Sequence, residues 1–125
     1  VRLSSRSEWV SEVTEASKGK EGVTVIVHLA DEREAGSVAM EPHFAVLATR
    51  HPETKFVQIR AEEAIPGYPS KNVPTILVYK DGEVAQNLVG LSHFGGKRRL
   101  GPEVLEWVLA STGAIKTELT SDPLE

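Results

Sequence analysis

Seven consecutive residues, Val23-Thr24-Val25-Ile26-Val27-His28-Leu29, are almost wholly apolar and rich in β-branched side chains. A strand with one wet face alternates apolar and polar residues, and this run does not. It fits a strand covered on both sides, at the centre of a sheet with helices on each face. His28 is the one ionisable group in the run, and it is expected to lie in or beside the sheet as a hydrogen-bonded core histidine.

The remaining pattern can be built around that strand. Val1-Arg2-Leu3 suits a short edge strand. Ser5 and Glu8 have capping-box spacing ahead of Trp9, Val10, Val13 and Ala16 or Ser17, which predicts a helix over 6–18. A charged loop, Asp31 to Glu34, precedes a helical stretch over 37–50 with Met40, Phe44, Leu47 and Ala48 on its apolar face. Pro42 lies inside it, at a cost of about 3 kcal/mol. Lys55 to Arg60 alternates and predicts a strand, and 61–72, with Pro66, Gly67 and Pro69, predicts mostly loop. Thr75 to Lys80 and Val84 to Val89 flank Asp81-Gly82, a strong hairpin signal. Gly95-Gly96 and Lys97-Arg98-Arg99 suggest a loop. Pro102 suits the first turn of a last helix that Gly113 closes. The order β-α-β-α-β-β-β-α predicts an α/β fold with a mixed central sheet of four to five strands and helices on both faces.

The chain has 125 residues, enough for one compact domain. It starts at Val1 rather than Met, which suggests a piece of a longer protein. Lys+Arg number 14 against 18 Asp+Glu, for a formal net charge of -4. That balance argues against nonspecific nucleic-acid binding. Cysteine is absent, which excludes disulfides, thiolate metal sites and cysteine redox chemistry within these residues. No apolar run approaches the roughly 18 residues of a membrane span, and Val1 to Val10 lacks a signal-peptide pattern. The four histidines show no ligand spacing, so neither a metal nor another cofactor is expected. No Gly-x-Ser-x-Gly or paired-acid pattern points to hydrolytic chemistry.

The segment VPTILVYKDGEVAQNLVG, Val73 to Gly90, resembles the second half of thioredoxins, in which a proline at the position of Pro74 is cis. Pro42 resembles the proline that kinks the helix after the thioredoxin Cys-x-x-Cys motif. Counting back from it, the motif falls on Glu34, Ala35, Gly36 and Ser37, a degenerate redox site with no thiol. A narrower resemblance spans essentially the whole chain. IPGYPSKNVPTILVYKDGEV, Ile65 to Val84, and LEWVLASTGAIKT, Leu105 to Thr117, are similar to the phosducin-like protein family, in particular the subgroup of the viral-inhibitor-of-apoptosis-associated factor.

That resemblance implies a thioredoxin-like domain over 1–117, followed by an acidic, flexible tail over 118–125. It implies a noncatalytic, cytoplasmic co-chaperone domain, not an enzyme. The partners it implies are the chaperonin CCT and its clients, among them actin, tubulin and G-protein β subunits. The alternative it implies is a signalling module binding G-protein βγ or an apoptosis regulator. Neither nucleic acid nor membrane is an expected partner, and the isolated domain is expected to be a monomer. The candidate partner-binding residues are Asp31, Glu32, Arg33 and Glu34 on the lip of the old redox site, Val73 before Pro74, and the basic cluster Lys97, Arg98 and Arg99. Loops on a rigid scaffold commonly carry binding.

Overall fold

A computed structural model describes residues 2–3, 9–19 and 23–125. Strand β1 (Arg2–Leu3) is followed by a helical segment, α1 (Val10–Glu15), of π-type winding. Then come β2 (Val25–Ala30), α2 (Ala35–Arg50), β3 (Lys55–Arg60) and a one-turn helix, α3 (Ala61–Ala64). The hairpin β4 (Thr75–Lys80) and β5 (Glu83–Val89) leads to a second one-turn helix, α4 (Gly96–Arg99), and the closing helix α5 (Pro102–Ser111). The sheet order is β1-β3-β2-β4-β5. β2 pairs in parallel with β3, Val27 opposite Val57, and antiparallel with β4, Val27 opposite Leu77. This is the mixed sheet of a thioredoxin-like fold.

Every residue of β2 is buried, and its neighbours show why alternation is missing. Ile26 faces Met40, Phe44 and Leu47 of α2 and Leu105 and Leu109 of α5. Val25, Val27 and Leu29 face the opposite layer, with Trp9 and Val13 from the α1 region and Ala61 and Ala64 from α3. Trp9 also meets the Tyr79 ring edge-on, with centroids 5.7 Å apart. Helix α2 runs on through Pro42 to Arg50. Burial of Met40, Phe44 and Leu47 is worth roughly 1.5–3 kcal/mol each, which outweighs the local cost of the proline.

The hairpin turn has positive φ at both Asp81 (52°) and Gly82 (79°), as a tight two-residue loop requires. Two hydrogen bonds tie it to the segment after α1: Gly19 N–H donates to Asp81 Oδ1 at 3.0 Å, and Gly82 N–H to Ser17 Oγ at 2.9 Å.

Several boundaries differ from the sequence expectation. The Ser5–Glu8 capping pattern lies outside the described residues. Helix α2 starts at Ala35 rather than Ser37. The stretch 61–72 contains α3 and a 3-10 turn, Ser70–Asn72. Lys97, Arg98 and Arg99 form the helical turn α4, not a loop. Here Gly95 and Gly96 take positive φ, and the chain folds back so that Gly96 N–H reaches Leu91 O at 3.0 Å. Residues 118–125 are expected as a tail. In the structure Leu124 packs against the α2/α5 core, and its carbonyl accepts from Arg99 at 2.8 Å.

Candidate functional site

The corner expected to hold the degenerate redox motif is built where β2 ends and α2 begins. Asp31 turns the chain with its own side chain: Oδ1 accepts from the Arg33 N–H at 2.9 Å, a local motif that Asp forms readily. Arg33 then returns as a fork, Nε to Oδ1 at 3.0 Å and Nη2 to Oδ2 at 2.8 Å. Those hydrogen bonds and the Arg33 charge hold the Asp31 carboxyl down at about 2. Asp31 is therefore a buried structural acid. Glu32 and Arg33 are exposed, Glu34 is half-buried, and Glu32 reaches Arg60 at 3.6 Å.

Ser37, which the resemblance sets at the second cysteine of the motif, is buried. Its Oγ accepts from the Asp31 N–H at 3.0 Å and lies 3.2 Å from His28 Nε2. His28 Nδ1 lies 3.1 Å from Gln58 Oε1 on β3. A consistent assignment runs from Asp31 N–H to Ser37, from Ser37 O–H to His28, and from His28 Nδ1–H to Gln58. The hydroxyl is spent on a buried hydrogen-bond relay and is not presented as a nucleophile. His28 is a satisfied core histidine, its ring tilted against that of Phe44 with centroids 5.6 Å apart.

The loop before β4 closes the corner. The Val73–Pro74 peptide is cis, and Thr75, fully buried, donates to Asn72 O at 2.6 Å while Tyr68 O–H reaches Thr75 Oγ1 at 2.6 Å. A β-carbon at Gly36 would lie 3.1 Å from Pro74 Cδ and 3.3 Å from Leu91 Cδ1. Backbone of α2 thus sits directly on the proline, which is the use of glycine there. Asp31, Glu32, Arg33, Glu34, Ala35, Gly36, Ser37, Val73 and Pro74 share this corner. Lys97, Arg98 and Arg99 are exposed on α4, joined to it through Leu91, which touches Gly36 and binds Gly96.

A second polar cluster, at the far end of α2, escaped the sequence reading. His51 and Glu106 are buried, with His51 Nε2 3.0 Å from Glu106 Oε1. Thr117 donates to Glu106 Oε2 at 2.8 Å, and Arg50 lies 3.7 Å from Oε1. Burial works to raise the Glu106 carboxyl. The hydrogen bonds from His51 and Thr117, with the charges of His51 and Arg50, outweigh it and hold the group below its usual range. With Lys116 and Glu118 these residues line an open cleft of about 570 Å³. The available signal was an acid on the apolar phase of α5, between Leu105 and Leu109. Among the described residues no group of three or more His, Asp or Glu could hold a metal, and no helix is long and apolar enough to cross a membrane.

The family model described as Phosducin matches residues 4–105. The chain belongs to the phosducin family. It is 38% identical over 111 residues to Phosducin-like protein 3 of Danio rerio, covering 89% of this chain and 46% of that protein. It is 40% identical over 119 residues to Phosducin-like protein 2 of Dictyostelium discoideum, covering 95% of this chain and 48% of that protein. Thioredoxin domain-containing protein 9 of Homo sapiens is 30% identical over 96 residues, covering 74% of this chain and 42% of that protein. The chain spans about half the length of the curated relatives it matches.

Proposed function

We propose that this chain is the noncatalytic thioredoxin-like adaptor domain of a cytoplasmic phosducin-like co-chaperone. It binds the chaperonin CCT and modulates folding of clients such as actin, tubulin or G-protein β subunits. The observation that carries the noncatalytic part is Ser37. At the old thiol position it is buried and hydrogen-bonded on both sides, and Glu34 opposite supplies no thiol. Disulfide exchange needs a thiolate, and nothing at the corner replaces one. What remains is a rigid edge with charged residues around it.

Two charged surfaces are the candidate contacts. One is the Asp31–Glu34 lip with Val73 beside it, in which Glu32 and Arg33 are the exposed members. The other is Lys97, Arg98 and Arg99. Rim charges act mainly through association rate and are screened by salt. Affinity for purified CCT is measured for two variants. K97E/R98E/R99E tests the basic turn, and E32K/E34K tests the lip while sparing the buried Asp31. A salt-dependent loss in either, with an unchanged melting temperature, supports the reading. Unchanged affinity in both places the contact elsewhere, and no CCT binding by the parent chain removes the reading. Parallel capture on G-protein βγ separates the signalling alternative. Turnover in an insulin-reduction assay would overturn the noncatalytic assignment.

A further inference from the structure

Strand β5 is the last in the sheet order, and among the described residues no strand lies beyond it. One row of its backbone N–H and C=O groups therefore has no strand partner. All of Glu83–Val89 except Leu88 is exposed. Sheet edges are commonly guarded by lysine, proline, inward charges or β-bulges. β5 has a single charge, Glu83, at its start, no proline, and one bulge near its turn end.

The side-chain pattern of this edge fits a copy of itself. β5 carries a register shift opposite Val78 and Tyr79, so Val84 pairs with Tyr79 while Gln86 pairs with Val78. Ala85 is the extra residue. Asn87 pairs with Leu77 and Val89 with Thr75, which places Val84, Asn87 and Val89 on the α1 side of the sheet. Gln86 and Leu88 take the α2/α5 side. An antiparallel pairing of two β5 strands about Asn87 sets Gln86 opposite Leu88 and the Val84–Ala85 bulge opposite Val89. Each pair then lies on one face, as cross-strand neighbours must. Glu83 falls opposite Gly90, so no like charges meet. Val84 and Val89, 47% and 38% exposed, would cover each other twice.

We infer that the β5 edge is a self-complementary docking surface, on which a second copy of this chain pairs antiparallel about Asn87 to form a continuous ten-stranded sheet. The inference stands apart from the chaperonin reading and uses the opposite edge from β1. One strand pair buries less than the roughly 800 Å² per partner of a standard interface. The association is therefore weak, and the chain is a monomer when dilute.

Sedimentation equilibrium of the 125-residue chain, from about 10 μM to 1 mM, tests this. The expected mass rises from 13.6 kDa towards twice that value. V84K/V89K puts lysine opposite lysine at both contacts and should weaken association by at least about tenfold. V84E/V89K instead sets a carboxylate on each copy opposite an ammonium on the other, and should retain association, now reduced by salt. Both variants change exposed side chains, so circular dichroism melts should match the parent. A parent chain that stays at 13.6 kDa throughout overturns the inference, as does V84E/V89K dissociating as fully as V84K/V89K.

Discussion

Helix α2 has a buried histidine near each end, and the two are wired differently. At the N-terminal end, His28 sits between a hydroxyl and an amide, Ser37 and Gln58. At the C-terminal end, His51 faces a buried carboxylate, Glu106, that also takes a hydrogen bond from Thr117. The first arrangement is a hydroxyl–imidazole–amide relay with no carboxylate among its three members. A buried acid with a basic partner couples the fold to pH, and removing either one weakens what holds the other in the buried site. Beside the His28–Ser37 relay lies the Asp31–Arg33 pair, whose arginine faces solvent. The charge-coupled end instead joins α2, α5 and the segment after Gly113.

The largest test of that contrast is Glu106→Ala. It strips His51 and Thr117 of their acceptor in a buried site, and a loss of about 3 kcal/mol is expected from urea unfolding. A loss below about 1 kcal/mol would place the pair in solvent rather than in the core.

Acid unfolding comes next. Glu106 titrates below its usual 4.5 in the folded chain, and Asp31 falls from 3.8 to about 2. Both carboxyls are depressed on folding, so their stabilisation is present above the unfolded values. It is lost as pH falls through the folded ones. Stability should decline from about pH 4.5 down to about pH 2. E106Q should flatten the upper part of that decline, and Ser37→Ala should leave its shape unchanged. A similar change from both variants would erase the distinction between the two ends.

Ser37→Ala itself should cost about 1–2 kcal/mol, because the Asp31 N–H and His28 Nε2 each lose a partner in a buried site. Asp31→Asn should have the smallest effect, under about 1 kcal/mol. Its Arg33 partner is 66% exposed, and solvent screens the pair. Chemical denaturation at pH 7 ranks all three.

The sheet was legible because its signals are local. The unbroken apolar run of β2, the alternation of β3 and the Asp81-Gly82 turn each report on a few neighbouring residues. The one-turn helices α3 and α4 were not, since four residues carry too little periodicity to show a face. At the corner, the resemblance at Pro42 and Pro74 pointed to Glu34–Ser37. The structure adds that Asp31 is a structural acid locked by Arg33, which a run of charges cannot reveal. The His51–Glu106–Thr117 cluster joins residues 55 and 11 positions apart. No spacing rule connects such residues, and only the acid on the apolar phase of α5 hinted at it.

The contact of Gly36 with Pro74 and Leu91 bears on how anything could bind there. Three segments distant in sequence meet at that point, the α2 backbone against the Pro74 ring and the Leu91 side chain, and the Asn72–Thr75 loop is braced from behind by Tyr68. Such a surface is already in its final shape before an encounter. Little ordering entropy is left for association to overcome on this side of an interface. Adaptation then falls to the partner, and Gly36→Ala, by pushing α2 off the proline, should slow recognition through misfit rather than through lost contacts.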